Sequence, residues 1–335
     1  MKMMKKTIIA TAAFLALAGN VRAQQDAQFS QFYANRLFYS PAAIVGTDEL
    51  FRVSLTDREQ WWGGGRNRPS YRTLNATQFF MGKRMGVGLT VYEWNQNVET
   101  NFLAKLSYAY HLQVGQEAFM SFGLNAGVMH GFYKDIILPD GSIGADVDAD
   151  MKTKPNLDLG LAIEFYTREI VTGVSVQHLP IRITKESKML ALHAYYYFGY
   201  LGKINHNWAL YPMLVMRMAG KSANLDISMR VFYGDLLHFG AGYRLDAAVI
   251  MAGVNIGPHF TFSYACDIPL GNIRHRFTMP SHEFVLTYRG CLSCPYNHTM
   301  PLNAFDCYAL RGVRCDFLKR PRCGGCSRRS LYGAA

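Results

Sequence analysis

The chain has 335 residues, a net charge of +11, 13% aromatic residues and 18% charged residues. Charge is sparser than the quarter usual in soluble domains, yet mean hydropathy lies near zero. Apolar residues must therefore alternate with polar ones rather than cluster.

The first segment reads as an export signal. Lys2, Lys5 and Lys6 form a positive start, Thr7 to Ala18 is a short apolar run, and Val21-Arg22-Ala23 ends in a small residue. This layout predicts a signal peptide over 1–23, with Gln24 as the mature start. The run is too short for a membrane-spanning helix, and no cysteine stands at the cleavage point to carry a lipid.

Residues 24–49 are aromatic without a clear two-residue period. They read either as a plug, with Phe29, Phe32, Tyr33 and Tyr39 packed on a lumen wall, or as a disordered periplasmic lead.

From residue 50 the pattern changes. Leu157, Leu159, Leu161, Ile163 and Phe165 alternate with Asp158, Gly160, Ala162 and Glu164. Leu225, Ile227, Met229, Val231 and Tyr233 do the same against Asn224, Asp226, Ser228 and Arg230. One greasy and one polar face at period two is a strand signal. About fourteen strands are expected: 50–58, 70–80, 84–94, 100–112, 118–133, 155–166, 169–178, 189–200, 207–219, 223–233, 236–245, 247–256, 259–268 and 281–289. After residue 23 no apolar run is long enough for a spanning helix. The chain then either stays soluble or spans a membrane as a closed barrel.

Loop lengths favour the barrel. Connections after even strands are short, and the long ones (59–69, 134–154, 179–188 and 269–280) follow odd strands. Outer-membrane barrels sort their loops this way. Aromatics near strand ends, such as Tyr92, Trp94, Tyr108, Tyr110, Trp208 and Tyr211, fit interfacial girdles. The fold class expected is all-β: a transmembrane antiparallel barrel over 50–289, with a plug-like segment before it and a Cys-rich tail after it.

An ordered series of motifs also resembles a known family. It comprises Gln25-Asp26-Ala27-Gln28-Phe29-Ser30-Gln31-Phe32, Arg58-Glu59-Gln60-Trp61, Gly86-Val87-Gly88-Leu89-Thr90-Val91-Tyr92, Tyr211-Pro212, Leu237 to Arg244 and Ser281 to Arg289. The series is similar to PorP/SprF proteins. That resemblance implies an outer-membrane component of type IX secretion and gliding in Bacteroidetes. Its partners would be outer-membrane lipid, type IX components and an exported surface protein or adhesin, which it would dock or anchor. The alternative is a passive porin or uptake channel. The chain departs from the family at its end, where Tyr288-Arg289 runs on into a tail.

Other features carry weaker chemistry. Trp61 and Trp62, in the first outer loop, read either as a partner contact or as interface anchors; Phe29, Phe32 and Tyr33 are further contact candidates. Asp140, Asp146, Asp148 and Asp150 lack the spacing of a calcium loop and read as a solvated acidic loop. The tail, 290–335, is basic and holds Cys291, Cys294, Cys307, Cys315, Cys323 and Cys326. These suit disulfides in an oxidising compartment; zinc held by Cys291, Cys294, Cys323 and Cys326 is the less favoured reading. No cofactor, nucleic-acid partner or catalytic constellation is expected, and the histidines look scattered.

Overall fold

The computed structural model describes residues 26–44, 51–63, 68–80, 84–96, 99–115, 118–133, 155–167, 169–179, 191–205, 207–220, 222–234, 236–244, 247–256, 259–270 and 279–290. The expected signal peptide, the acidic loop and the cysteine tail lie outside these residues.

The described residues form strands β1 (Phe51–Glu59), β2 (Ser70–Phe80), β3 (Met85–Gln96), β4 (Glu99–Gln113), β5 (Phe119–Tyr133), β6 (Asn156–Tyr166), β7 (Ile170–Gln177) and β8 (His193–Tyr200). There follow β9 (Gly202–Lys203), β10 (Trp208–Ala219), β11 (Ser222–Tyr233), β12 (Leu237–Arg244), β13 (Ala247–Ile256), β14 (Phe260–Pro269) and β15 (Ser281–Gly290). Each long strand pairs antiparallel with the next, and β15 pairs with β1 from Phe51↔Gly290 to Glu59↔His282. The sheet closes on itself as a barrel of fourteen long strands. Closure leaves no unpaired edge, which is what lets strands cross a bilayer.

The long strands fall close to their expected positions. The eighth starts at His193 rather than 189, and the connection after it holds the two-residue β9. Pro212 accounts for β9. Proline has no N–H to give to a ladder, and β10 pairs with β8 only from Met213 onward. Below that break, Ala209 and Leu210 pair with Lys203 and Gly202 instead.

The two faces follow the pleat. Outward positions are apolar: Leu106 is 69% exposed, and Leu124, Leu161, Ile163, Ile227 and Ile250 are also exposed. Inward positions carry the buried polar groups, among them Lys105, Asn125, Glu164, Arg217, Arg230 and Glu283, together with buried aromatic and apolar side chains such as Tyr92, Leu103, Tyr197 and Met213. One outward row is charged. Arg72 stands between its cross-strand partners Asp57 and Glu93, at 3.4 and 3.6 Å. This row lies near the rim that carries the long connections 60–69, 134–155, 178–192 and 270–280. The opposite rim carries short turns, the side that faces the periplasm in outer-membrane barrels.

Candidate functional site in the barrel lumen

The inward polar face is occupied by the chain's own N-terminal segment. Fourteen of residues 26–44 are buried and the other five half-buried, and they contain a single helical turn, α1 (Arg36–Tyr39), and a 3-10 turn at Pro41–Ala43. A turn this short has no stability of its own, so the wall must hold it.

Three charged anchors do so. Nearest the long-loop rim, the Asp26 carboxylate meets His178 Nε2 at 2.8 Å and accepts a hydrogen bond from the Tyr195 hydroxyl at 2.7 Å. The Asp26 backbone N–H donates to His193 Nε2 at 3.2 Å. Burial pushes the Asp26 carboxyl up. The charge of His178 beside it and the hydrogen bond from that ring outweigh burial, holding the group well below the usual carboxylate range.

The second anchor joins the segment to β14 and β15. The N–H groups of Ser30 and Gln31 donate to the Glu283 carboxylate at 2.7 and 2.9 Å, and the Ser30 hydroxyl donates to Asp267 at 2.6 Å. Arg58 pairs with Asp267 at 2.6 Å and Glu283 at 3.2 Å, and Arg244 reaches Asp267 at 3.4 Å. Two guanidinium groups thus balance two buried carboxylates, as buried charge requires.

The third anchor is Arg36, whose Nη2 meets both oxygens of Glu164 at 2.8 Å. The Tyr197 hydroxyl donates to the same carboxylate. Arg36 lies on α1 and Glu164 on β6, so this pair fixes the helical turn to the wall.

Apolar packing fills the space between anchors. Phe32 stacks on Tyr39 with centroids 4.9 Å apart, and Phe38 meets Tyr92 edge-on at 4.8 Å. The Tyr39 hydroxyl accepts from the Phe29 N–H at 2.9 Å and donates to Ala27 O at 3.0 Å, folding the segment on itself. Burial drives its pKa up to about 12 against the opposing cation of Arg217. Arg230 lies over the Tyr33 ring at 3.2 Å from its centroid. Wall glycines admit the segment: a Cβ on Gly86 would come within 2.4 Å of the Ile44 side chain.

The residues singled out in sequence separate into two places. Phe29, Phe32 and Tyr33 lie in the lumen, so a partner touching them would have to enter it. Trp62 is 47% exposed and folds onto the outer face of β15, edge-on to His282 at 5.0 Å and to Phe284 at 6.3 Å. Trp61 is half-buried in the left-handed region at φ 51, its N–H donating to the Ser281 hydroxyl. The tail cysteines lie outside the described residues. Cys266, on β14, is free and half-buried.

The polar anchors escaped the sequence reading, because Ser30 and Glu283 stand 253 positions apart and Arg36 and Glu164 stand 128 apart. The available signal was the set of acidic residues on the inward phase of β6, β14 and β15: Asp158, Glu164, Asp267 and Glu283.

Comparison with known proteins adds to the geometry. No curated protein matches the chain in sequence. Solved structures resemble it in fold at low identity. The Acinetobacter baumannii outer-membrane protein Omp33 is 10% identical, covers 72% of this chain and 98% of its own, and has a TM-score of 0.43. The CymD monoaromatic hydrocarbon channel is 11% identical over 76% of this chain and 91% of its own, at 0.45. The Ralstonia pickettii toluene transporter TbuX is 11% identical over 75% of this chain and 92% of its own, also at 0.45. Residues 21–288 match the family described as type IX secretion system membrane protein PorP/SprF. With its closed barrel and apolar outer wall, the chain is an integral outer-membrane protein, and it belongs to the PorP/SprF family of the type IX secretion system.

Proposed function

We propose that this protein is a docking barrel: it anchors an exported surface protein at the outer membrane and does not act as an open channel. The observation that carries the reading is the N-terminal segment, tied to the inner wall by Asp26, Ser30, Gln31 and Arg36. A passive porin needs its polar lumen free for solutes. Here polar wall groups that would line a pore are used to hold protein. The long-loop rim, with Trp61 and Trp62, and the basic cysteine-rich tail are the surfaces left for an exported protein and for type IX components.

Two experiments test this. Mass spectrometry of surface and medium proteins, comparing wild type with a deletion strain, is expected to show loss of one or more exported proteins from the surface. An unchanged surface proteome would sink the docking role. The purified barrel in a planar bilayer is expected to conduct little; a steady open-pore conductance would favour the uptake channel.

A further inference from the structure

We propose that Asp26, His178 and His193 form a site for a divalent metal ion of the zinc class, which staples the start of the N-terminal segment to β7 and β8. The donor atoms of these residues lie within 4.8 Å of one another, and two imidazole nitrogens with one carboxylate form a common zinc ligand set.

Orientation of the rings is the main support. In both histidines Nδ1 is taken up by an acceptor and Nε2 is turned toward Asp26. His178 Nδ1 lies 2.8 Å from Asp158 Oδ1, and His193 Nδ1 lies 2.8 Å from Ala191 O. A metal-bound histidine almost always gives its other ring N–H to a carboxylate or a backbone carbonyl, which fixes the ring and its tautomer. Both kinds of partner are present. The Tyr195 hydroxyl orients Asp26 in the same manner.

The fit requires a small rearrangement. Asp26 Oδ2 and His178 Nε2 are 2.8 Å apart, whereas donors on a tetrahedral zinc stand about 3.3 Å apart. Ring rotation and a shift of Asp26 supply the difference. Binding would exchange the hydrogen bond between His178 and Asp26 for two bonds to the ion, the Nε2 proton leaving to solvent. The Asp26 N–H would release His193 Nε2 to the ion, and water would complete the shell.

The tail thiols complicate the test, so cobalt(II) is the probe. Titrated into the full chain in detergent, Co²⁺ bound here gives visible d–d bands without the near-ultraviolet sulfur-to-metal band of a thiolate site. We expect one such nitrogen- and oxygen-bound ion, displaced by zinc, and lost in His193→Ala. Asp158→Asn, which keeps the ligands but unfixes the His178 ring, should weaken binding about 10- to 100-fold. Bound zinc should also protect the segment from trypsin at Arg36. Absence of the thiolate-free signal in wild type overturns the proposal, as does its full retention in His193→Ala. Should His193→Ala fail to migrate as a folded barrel on an unheated gel, unaltered affinity in Asp158→Asn would overturn it instead.

Discussion

A Cβ built on Gly123 would come within 2.2 Å of the Ala42 backbone nitrogen. The wall of β5 and the last turn of the N-terminal segment therefore meet backbone to backbone. Gly123→Val should leave the barrel assembled, judged by gel mobility before and after heating, but push the segment off the wall. Overpacking of this kind costs about 1–3 kcal/mol. Trypsin cleavage at Arg36 and a rise in bilayer conductance would report it. Ala126→Val, on the outward face of the same strand, should show neither; equal behaviour of the two variants would sink the close-contact account.

The Arg36–Glu164 pair predicts a non-additive cycle. Either Arg36→Gln or Glu164→Gln leaves an uncompensated buried charge, a loss of about 3–5 kcal/mol. The double variant should recover part of that loss, because both charges leave together. Chemical denaturation of the reconstituted barrel measures it, and strictly additive losses would contradict the pairing.

Leu106 and Lys105 are neighbours on β4 that face opposite media. Leu106→Arg places a charge on the lipid side and should cost about 2–4 kcal/mol near the bilayer midplane. A neutral result in folding titrations into lipid vesicles would mean that this face is not against lipid.

Trp62 rests on His282 and Phe284, so Trp62→Ala should lower barrel stability by only about 0.5–1.5 kcal/mol for each ring pairing it removes. If the tryptophan also holds an exported protein, as the docking reading has it, that protein should fall at the cell surface while barrel levels stay constant. Unchanged surface display would restrict Trp62 to an interface anchor.

A chain ending at Gly290 is expected to insert normally, since β15 and its outward Tyr288 remain complete, but to bind its secretion partners less well. Pull-down from solubilised membranes checks the second point. Loss of the barrel from the outer membrane would instead give the tail a role in assembly.

How much of this was legible in the sequence depends on the distance over which each feature is specified. The strands were legible because each one carries its own lipid face: Leu157 to Phe165 announces β6 without reference to any other strand. The two-residue β9 was not, since Gly202–Lys203 is shorter than a period-two pattern can register; Pro212, which breaks the neighbouring ladder, was its only trace. Aromatics marked 24–49 as a segment fit to pack, but the wall groups that hold it come from the far end of the chain. Likewise His178 and His193 looked scattered, because the β7–β8 pairing that sets them side by side was not readable residue by residue, and Asp26, which meets them both, lies 152 positions before His178.

Residues 26–44 precede every described strand, yet they are held by the last described one, β15. Ser30 and Gln31 cannot meet Glu283 until β15 exists, and β15 is also the strand that zips to β1 and seals the wall. The final seam and the final grip on the N-terminal segment therefore form on the same element. During biogenesis the early segment must wait, solvated, for the sheet to curl around it, as a mandrel waits for its winding. Contacts of such long sequence separation form slowly, so the segment and the open edge of β1 stay exposed together until Ser281–Gly290 is in place.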